Sequence, residues 1–278
     1  MKKIIITAIA AFVILFAEAQ TLKTPQTSTT QTIKQNFALS SIELTYSRPG
    51  IKGRKIFGDL VPFEKIWRTG AGDASTLTFG DTVFINGTKI NPGKYGLVSI
   101  PHEKSWTLII TKQLDITGPE SYKQDQDVVR VEAKTKDISE SMETFTMQFV
   151  NVKQGSCELQ LMWDKTAVSL PITTNTEERM KAQIEQLMKM DNRPYYNSAL
   201  YYMNNGLDLN QALVWFDKAL ELQPNLLRNH YQRANCLSKM GRKEEAKAAA
   251  KKGIELAKAQ KNENFVKLNE TLLTELNK

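Results

Sequence analysis

The sequence has few of the residues that carry metal binding and nucleophilic catalysis. It contains two histidines, His102 and His230, and two cysteines, Cys157 and Cys236. It has no H-E-x-x-H, C-x-x-C or calcium-loop motif, so we expect no metal site and no cofactor. A Ser-His-Asp or Cys-His set would have to be assembled from residues without a local signature. A carboxylate pair that meets only in space stays open, but the sequence favours a non-catalytic protein.

The scarcity of cysteine also argues against a disulfide framework. Cys157 shares strand phase with Leu159, Leu161 and Trp163, which points its side chain into a core. Cys236 lies much later, in a part of the chain with a different periodicity. We therefore expect buried free thiols, because a free cysteine in a core behaves as a small apolar residue.

Long apolar runs and long basic blocks are absent too, except for one short run at the N-terminus. Lys2 and Lys3 precede the apolar run Ile4 to Phe16, and Ala17-Glu18-Ala19 follows it. This pattern predicts a signal peptide over residues 1–19, cleaved after Ala19. We expect an exported protein, periplasmic or secreted, with no membrane span in the mature chain. The formal charge of +7 is spread along the chain, so we expect no nucleic-acid partner.

The rest of the chain divides by its hydrophobic period. Residues 20–36 are rich in Thr and Gln and are predicted to form a flexible linker. Residues 37–173 alternate apolar and polar side chains, and turn signals such as Asn86-Gly87 separate the runs. Many short strands without intervening helices predict an antiparallel β-sandwich or barrel.

From residue 174 to 278 the apolar period becomes helical. Small residues recur there at a spacing of 34 or 35, as in Ala199 and Ala234, Gly206 and Gly241, and Ala212 and Ala246. This pattern over residues 195–258 resembles a tetratricopeptide repeat. Ala250 stands where an aromatic residue is usual in the second copy. We expect helices at 176–190 and 262–277 to complete this array of helical hairpins.

The tetratricopeptide resemblance implies a protein-binding groove lined by the first helix of each pair. Carried onto this sequence, the lining consists of Tyr196, Asn204, Arg228, Tyr231, Asn235 and Lys239. Arg228, Asn235 and Lys239 could hold a carboxylate of a protein or peptide partner. The alternative is that the tyrosines are packing residues and that the charges form a solvated face.

The stretch from Arg48 to Phe79, with the later NGTKINPGKYGLVSIP and SWTLII, resembles DUF2911 over about residues 37–172. This is a bacterial domain of unknown function that is common in exported proteins of the Bacteroidetes. The resemblance implies a β-rich exported domain and brings no established activity. Members usually read Arg-Thr-Gly-Ala-Asn followed by Asp or Glu, and here Gly72 replaces the asparagine.

Four residues of this stretch are candidates for a small polar or anionic ligand site: Arg54, Trp67, Arg68 and Asp73. Arginine offers a fork of donors that matches carboxylate or phosphate, and tryptophan can stack on a sugar or a cation. The alternative is an Arg–Asp pair that pins a loop to the sandwich.

Two functions follow from these patterns. The first is an exported, non-catalytic binding or scaffolding protein of the cell envelope that engages a protein partner through its helices. The second is a β domain that binds a small polar or anionic envelope ligand, or processes it as a hydrolase, through residues 54–73.

Overall fold

A computed structural model describes residues 24–278. The predicted signal peptide lies outside these residues. The chain forms two compact units, a β unit that ends at Asn175 and a helical unit from Thr176 to Lys278. None of the helices in residues 24–278 is long and apolar enough to cross a membrane.

The β unit is an antiparallel sandwich of two sheets. One sheet has the strand order β1-β2-β3-β6-β7-β8 and the other has the order β5-β4-β10-β9. The strands are β1 (Thr29–Phe37), β2 (Ser40–Arg48), β3 (Ser75–Phe79), β4 (Val83–Ile85), β5 (Thr88–Ile90), β6 (Gly93–Pro101), β7 (Ser105–Thr111), β8 (Asp127–Lys134), β9 (Lys136–Val150) and β10 (Ser156–Thr173). The two sheets stay separate, so the sandwich prediction is confirmed and the barrel alternative is wrong.

One apolar core lies between the two sheets because their strands alternate in polarity. Leu44 and Leu77 of the six-stranded sheet and Phe145 and Leu161 of the four-stranded sheet are fully buried in this core. Burial of each such side chain contributes about 1.5–3 kcal/mol. The Asn86-Gly87 turn joins β4 to β5 as predicted, with φ of 49° and 77°, which suits a type I′ hairpin.

The predicted linker is wrong over residues 29–36, which belong to β1. This strand pairs along its whole length with β2, and Ile33 lies opposite Leu44. The Thr- and Gln-rich sequence does not indicate a strand, because β1 is an edge strand and buries few side chains. Ile33 packs against the core and Phe37 is buried, while backbone hydrogen bonds to β2 supply the rest of the pairing.

A second, smaller apolar cluster lies on the other face of the six-stranded sheet. Val98 and Ile109 of this sheet pack with Ile116, which comes from the segment 112–126 between β7 and β8. Tyr122 fixes the end of this segment, because its hydroxyl donates to Asp127 (2.5 Å) and accepts from Arg130 (2.5 Å). Burial and the hydrogen bond to Asp127 raise the pKa of Tyr122 to about 12.

The helical unit contains six helices over its described length. They are α1 (Glu177–Leu187), α2 (Tyr195–Asn204), α3 (Leu209–Leu222), α4 (Leu227–Lys239), α5 (Lys243–Ala259) and α6 (Glu263–Leu276). The helical region begins later than residue 174, because the Thr174 hydroxyl donates to the carbonyl of Thr82 (2.8 Å) and so ties Thr174 to the β unit.

The small residues of the 34-residue pattern lie where paired helices cross. Ala199, Ala212, Ala234 and Ala246 are all fully buried. Gly206 and Gly241 take positive φ values of 68° and 73° just after the first helix of each pair, a conformation that glycine adopts without strain. The last helix, α6, adds Leu272 and Leu276 to the same core.

Candidate functional site

The candidate ligand residues lie in residues 49–74, which connect β2 to β3. Connections of this length are uncommon in compact domains and frequently carry function. Backbone bonds hold the connection on the sheet: Trp67 and Ser99 exchange two hydrogen bonds (2.7 and 2.9 Å), and Ser75 N–H donates to the Arg68 carbonyl (3.1 Å). These hydrogen bonds fix the backbone of Trp67 and Arg68.

Thr69 has an unusual conformation between these fixed points. Its φ is 55°, and a β-branched residue in the left-handed region costs about 1–3 kcal/mol. Three buried hydroxyls compensate: the Thr69 and Ser99 hydroxyls are 2.9 Å apart, and the Ser75 hydroxyl donates to the Thr69 carbonyl (2.6 Å). This network orients Arg68, the preceding residue.

Trp67 is part of an aromatic cluster in the core. Its ring stacks on Trp163 with centroids 5.7 Å apart, and the edges of Trp106 and Phe145 meet it at 5.7 and 5.0 Å. Its Nε1 donates to the Gly70 carbonyl (3.1 Å). Trp67 is therefore a packing residue whose remaining surface forms a wall, in place of the free stacking platform expected from the sequence.

Arg54 is exposed, and the connection itself uses its guanidinium. Nε donates to the carbonyl of Ile51 (3.0 Å) and Nη2 to that of Gly50 (2.7 Å). These two donors form one side of the arginine fork, so this side stabilises a turn and is not available to a ligand.

Arg68 is half-buried and keeps unused donors. Its Nη1 donates to the carbonyl of Thr117, which links the connection to the segment 112–126. Its Nε is buried and has no hydrogen-bond partner among the described residues. An unsatisfied buried donor costs about 1–3 kcal/mol, and more when it is charged, so this geometry needs an explanation.

Asp73 does not join the other three candidates. It is exposed, and in residues 24–278 no ion pair connects it to Arg68, so the Arg–Asp pair considered from the sequence is wrong. Asp73 instead lines a neighbouring cavity of about 370 Å³ beside Thr30 and Ser47, which shares Thr27, Ser28 and Ala71 with the cavity of the other three.

Arg54, Trp67 and Arg68 line one cavity of about 430 Å³ in the β unit. This volume lies within the range of roughly 300–1,000 Å³ that is usual for small-molecule sites. Its wall has three cationic residues and no carboxylate, and it consists of Thr27, Ser28, Pro49, Gly50, Lys52, Arg54, Leu60, Val61, Pro62, Ile66, Trp67, Arg68, Gly70, Ala71, Gly118, Pro119 and Trp163.

Trp163 is the wall residue that the sequence did not assign to a site. Its position on β10, in phase with Leu159 and Leu161, indicated only a core residue. It is 1% exposed, and its Nε1 has no hydrogen-bond partner among the described residues. A second orphaned donor therefore belongs to a residue of the same cavity wall.

The two thiols are free and buried, as expected. Burial raises the pKa of Cys157 to about 11, and burial also raises the pKa of Cys236. A thiol of raised pKa carries little thiolate at neutral pH. Within residues 24–278 no three His, Cys, Asp or Glu side chains come together as a metal-binding group.

The helical candidates divide into packing residues and exposed residues. The Arg228 guanidinium lies 4.9 Å above the Tyr196 ring, which itself meets the edge of Phe216. Tyr231 meets Phe265 of α6, so this tyrosine is a packing residue. The exposed or half-exposed remainder is Asn204, Arg228, Asn235 and Lys239.

The first helices of the two pairs differ in charge, because α2 contains no charged side chain and α4 contains Arg228, Arg233 and Lys239. Neither α2 nor α4 contains a carboxylate. Arg233 of α4 is paired with Asp217 at 2.5 Å, whereas Arg228 and Lys239 are exposed and have no ion pair among the described residues. An acidic segment would therefore meet no like charge on these two helices.

Comparison with protein families gives two matches. Residues 28–172 match the family described as Protein of unknown function (DUF2911), and residues 227–260 match a tetratricopeptide repeat. The first match begins at β1, in agreement with the structure. The second covers α4 and α5, the second of the two helix pairs. Neither the curated proteins nor the solved structures gave a match.

Proposed function

Because the chain belongs to the DUF2911 family and also carries a tetratricopeptide repeat, we propose that it is a non-catalytic binding protein of the cell envelope. Its helical unit docks an acidic segment of a protein partner. Paired helices of this kind present a surface suited to extended peptides. The observation that carries the proposal is the charge of α4, which lacks carboxylates and exposes Arg228 and Lys239, while α2 contains no charged side chain.

Arg228 and Lys239 lie near opposite ends of α4, which spans Leu227 to Lys239. Asn235 lies between them and offers an amide that can bind a peptide backbone. A partner segment that follows α4 would meet a cation, an amide and a second cation in turn. Placement at the envelope rests on the predicted signal peptide over residues 1–19.

The test replaces Asn235 with a photo-crosslinking amino acid and identifies the captured partner. The purified partner is then titrated against the wild-type chain and against Arg228→Glu plus Lys239→Glu. We expect at least a tenfold loss of affinity and a strong dependence on salt concentration. Lys251→Glu plus Lys258→Glu, which changes the charge equally on α5, is the matched control. Equal losses in both variants would contradict docking on α4.

The second candidate function is binding of a small polar or anionic ligand by the β unit. It is favoured by the 430 Å³ cavity, whose wall includes Arg54, Trp67 and Arg68. A thermal-shift screen of small molecules on the whole chain tests it. Ala71→Phe, which adds a ring to the wall, should abolish the shift of any ligand that binds there. A screen without a single shift that depends on this position would argue against the candidate.

A further inference from the structure

The wall of the cavity combines positive charge with apolar surface. Lys52, Arg54 and Arg68 are its charged residues, and Asp and Glu are absent from it. Its apolar surface includes Leu60, Val61, Ile66, Trp67 and Trp163. A purely hydrophilic anion would leave the apolar surface uncovered, and a neutral apolar molecule would leave the charges unmatched.

Arg68 determines which charged group of a ligand the cavity can bind. The carbonyl of Thr117 occupies Nη1, and Nε and Nη2 have no partner among the described residues. Because Nε is buried, Nη2 is the remaining donor that Arg68 offers to an oxyanion, together with the positive charge of the whole guanidinium. Arg54 uses its own Nε and Nη2 on the carbonyls of Ile51 and Gly50, whereas Nη2 of Arg68 makes no hydrogen bond to the described residues.

Trp163 supplies a different kind of contact. Its ring, stacked on Trp67, gives a rigid apolar surface in the same wall that contains Arg68. The strained Thr69 and the hydroxyls of Ser75 and Ser99 hold Arg68 in this position.

We propose that the cavity binds an amphiphilic acid, with a carboxylate or phosphate head on the guanidinium of Arg68 and an apolar body against Trp67 and Trp163. Lys52, exposed in the same wall, adds long-range attraction for the anion. This inference rests on the second candidate function and specifies its ligand class.

Calorimetric titration of the whole chain with a matched series of probes tests the ligand class. Octanoate and octyl phosphate carry head and body, 1-octanol and octylamine change the head, and acetate lacks the body. We expect octanoate or octyl phosphate to bind at least tenfold more tightly than every other probe. The stronger of the two identifies the head group. Equal affinity for 1-octanol would overturn the proposal.

Three variants locate the site. Arg68→Gln should weaken the acidic probe at least tenfold and leave 1-octanol unchanged, Ala71→Phe should abolish binding of both, and Lys134→Gln, an exposed control on β8, should change neither. Unchanged binding of the acid by Arg68→Gln would overturn the proposal. If Arg68→Gln fails to fold, loss of acidic-probe binding in Ala71→Phe supports the site, and unchanged binding in that variant overturns it.

The results also distinguish failure of this inference from failure of the small-ligand function on which it rests. If the thermal-shift screen finds a ligand of other chemistry that depends on Ala71, the small-ligand function stands and the amphiphilic acid is wrong. If neither the screen nor the probe series shows binding that depends on Ala71, both are wrong.

Discussion

The hydroxyl of Tyr46 joins the two sheets of the sandwich, and its removal gives a quantitative test of the fold. Tyr46 lies on β2 and is 2% exposed. Its hydroxyl accepts from the N–H of Met147 on β9 (2.9 Å). It also lies 3.1 Å from the Met147 carbonyl and 2.9 Å from Gln31 Oε1, either of which takes its proton.

Tyr46→Phe removes these bonds and keeps the ring, whose edge contact with Phe145 (5.9 Å) should persist. The buried N–H of Met147 loses its partner, which costs about 1–3 kcal/mol, and the bond donated by the hydroxyl is worth about 1 kcal/mol. The free energy of unfolding of the β unit should therefore fall by about 2–4 kcal/mol.

The assay is urea denaturation of the whole chain, followed by tryptophan fluorescence in a Trp215→Phe background. That background silences the helical unit, so the signal comes from the β unit. The midpoint should fall by on the order of 1 M urea. Tyr95→Phe is the control, because its hydroxyl donates only to the Asn91 carbonyl in a turn (2.9 Å), where water can replace it. A loss below about 1 kcal/mol, or one equal to that of the control, would refute the reasoning.

Three further predictions address other parts of the molecule. Arg68→Ala and Asp73→Ala should act independently on stability, within about 0.5 kcal/mol in a double-mutant cycle, because the two side chains line different cavities; a coupling above about 1 kcal/mol would show that they interact. The pKa of Tyr122 in the folded state is about 12, above its ordinary value of 10.0. The stabilisation that results from this difference is complete below pH 10 and is lost as the pH rises towards 12. The wild-type chain should therefore lose stability more steeply there than Tyr122→Phe, by at most about 1.4 kcal/mol per pH unit, and identical pH profiles in denaturation would rule this out. A methyl group at Gly253 would lie 2.7 Å from Oδ1 of the buried Asn269, so Gly253→Ala should destabilise the helical unit by about 1–3 kcal/mol despite its helix propensity; Asn269→Ala should recover stability in that background in thermal unfolding by circular dichroism, and no recovery would disprove the steric explanation.

The fold was predictable where the signal is local. Asn86-Gly87 defines its hairpin because two residues with positive φ suffice for that turn. The small residues at the 34-residue spacing reveal the helix pairs because a close crossing of helices needs small side chains. Strand β1 was missed because its pairing with β2 depends on the backbone, and a Thr- and Gln-rich edge strand has almost no apolar period.

The site was predictable only in part because its geometry is long-range. The sequence selected Arg54, Trp67 and Arg68, and the structure places all three in one wall. It could not show that backbone carbonyls occupy Arg54, nor that Asp73 faces a different cavity. Trp163 joins the wall from β10, far along the chain, so no local spacing relates it to Trp67.

Because each unit contains one buried thiol, the rate at which each unit opens can be measured separately. Cys157 lies in the β unit, Cys236 lies in the helical unit, and the chain has no other cysteine. A buried thiol is modified only when its surroundings open, so the labelling rate of each cysteine measures the opening of its own unit. Peptide mass spectrometry separates the two positions in a single sample. The natural sequence thus allows the opening of both units to be timed side by side, without any engineered label.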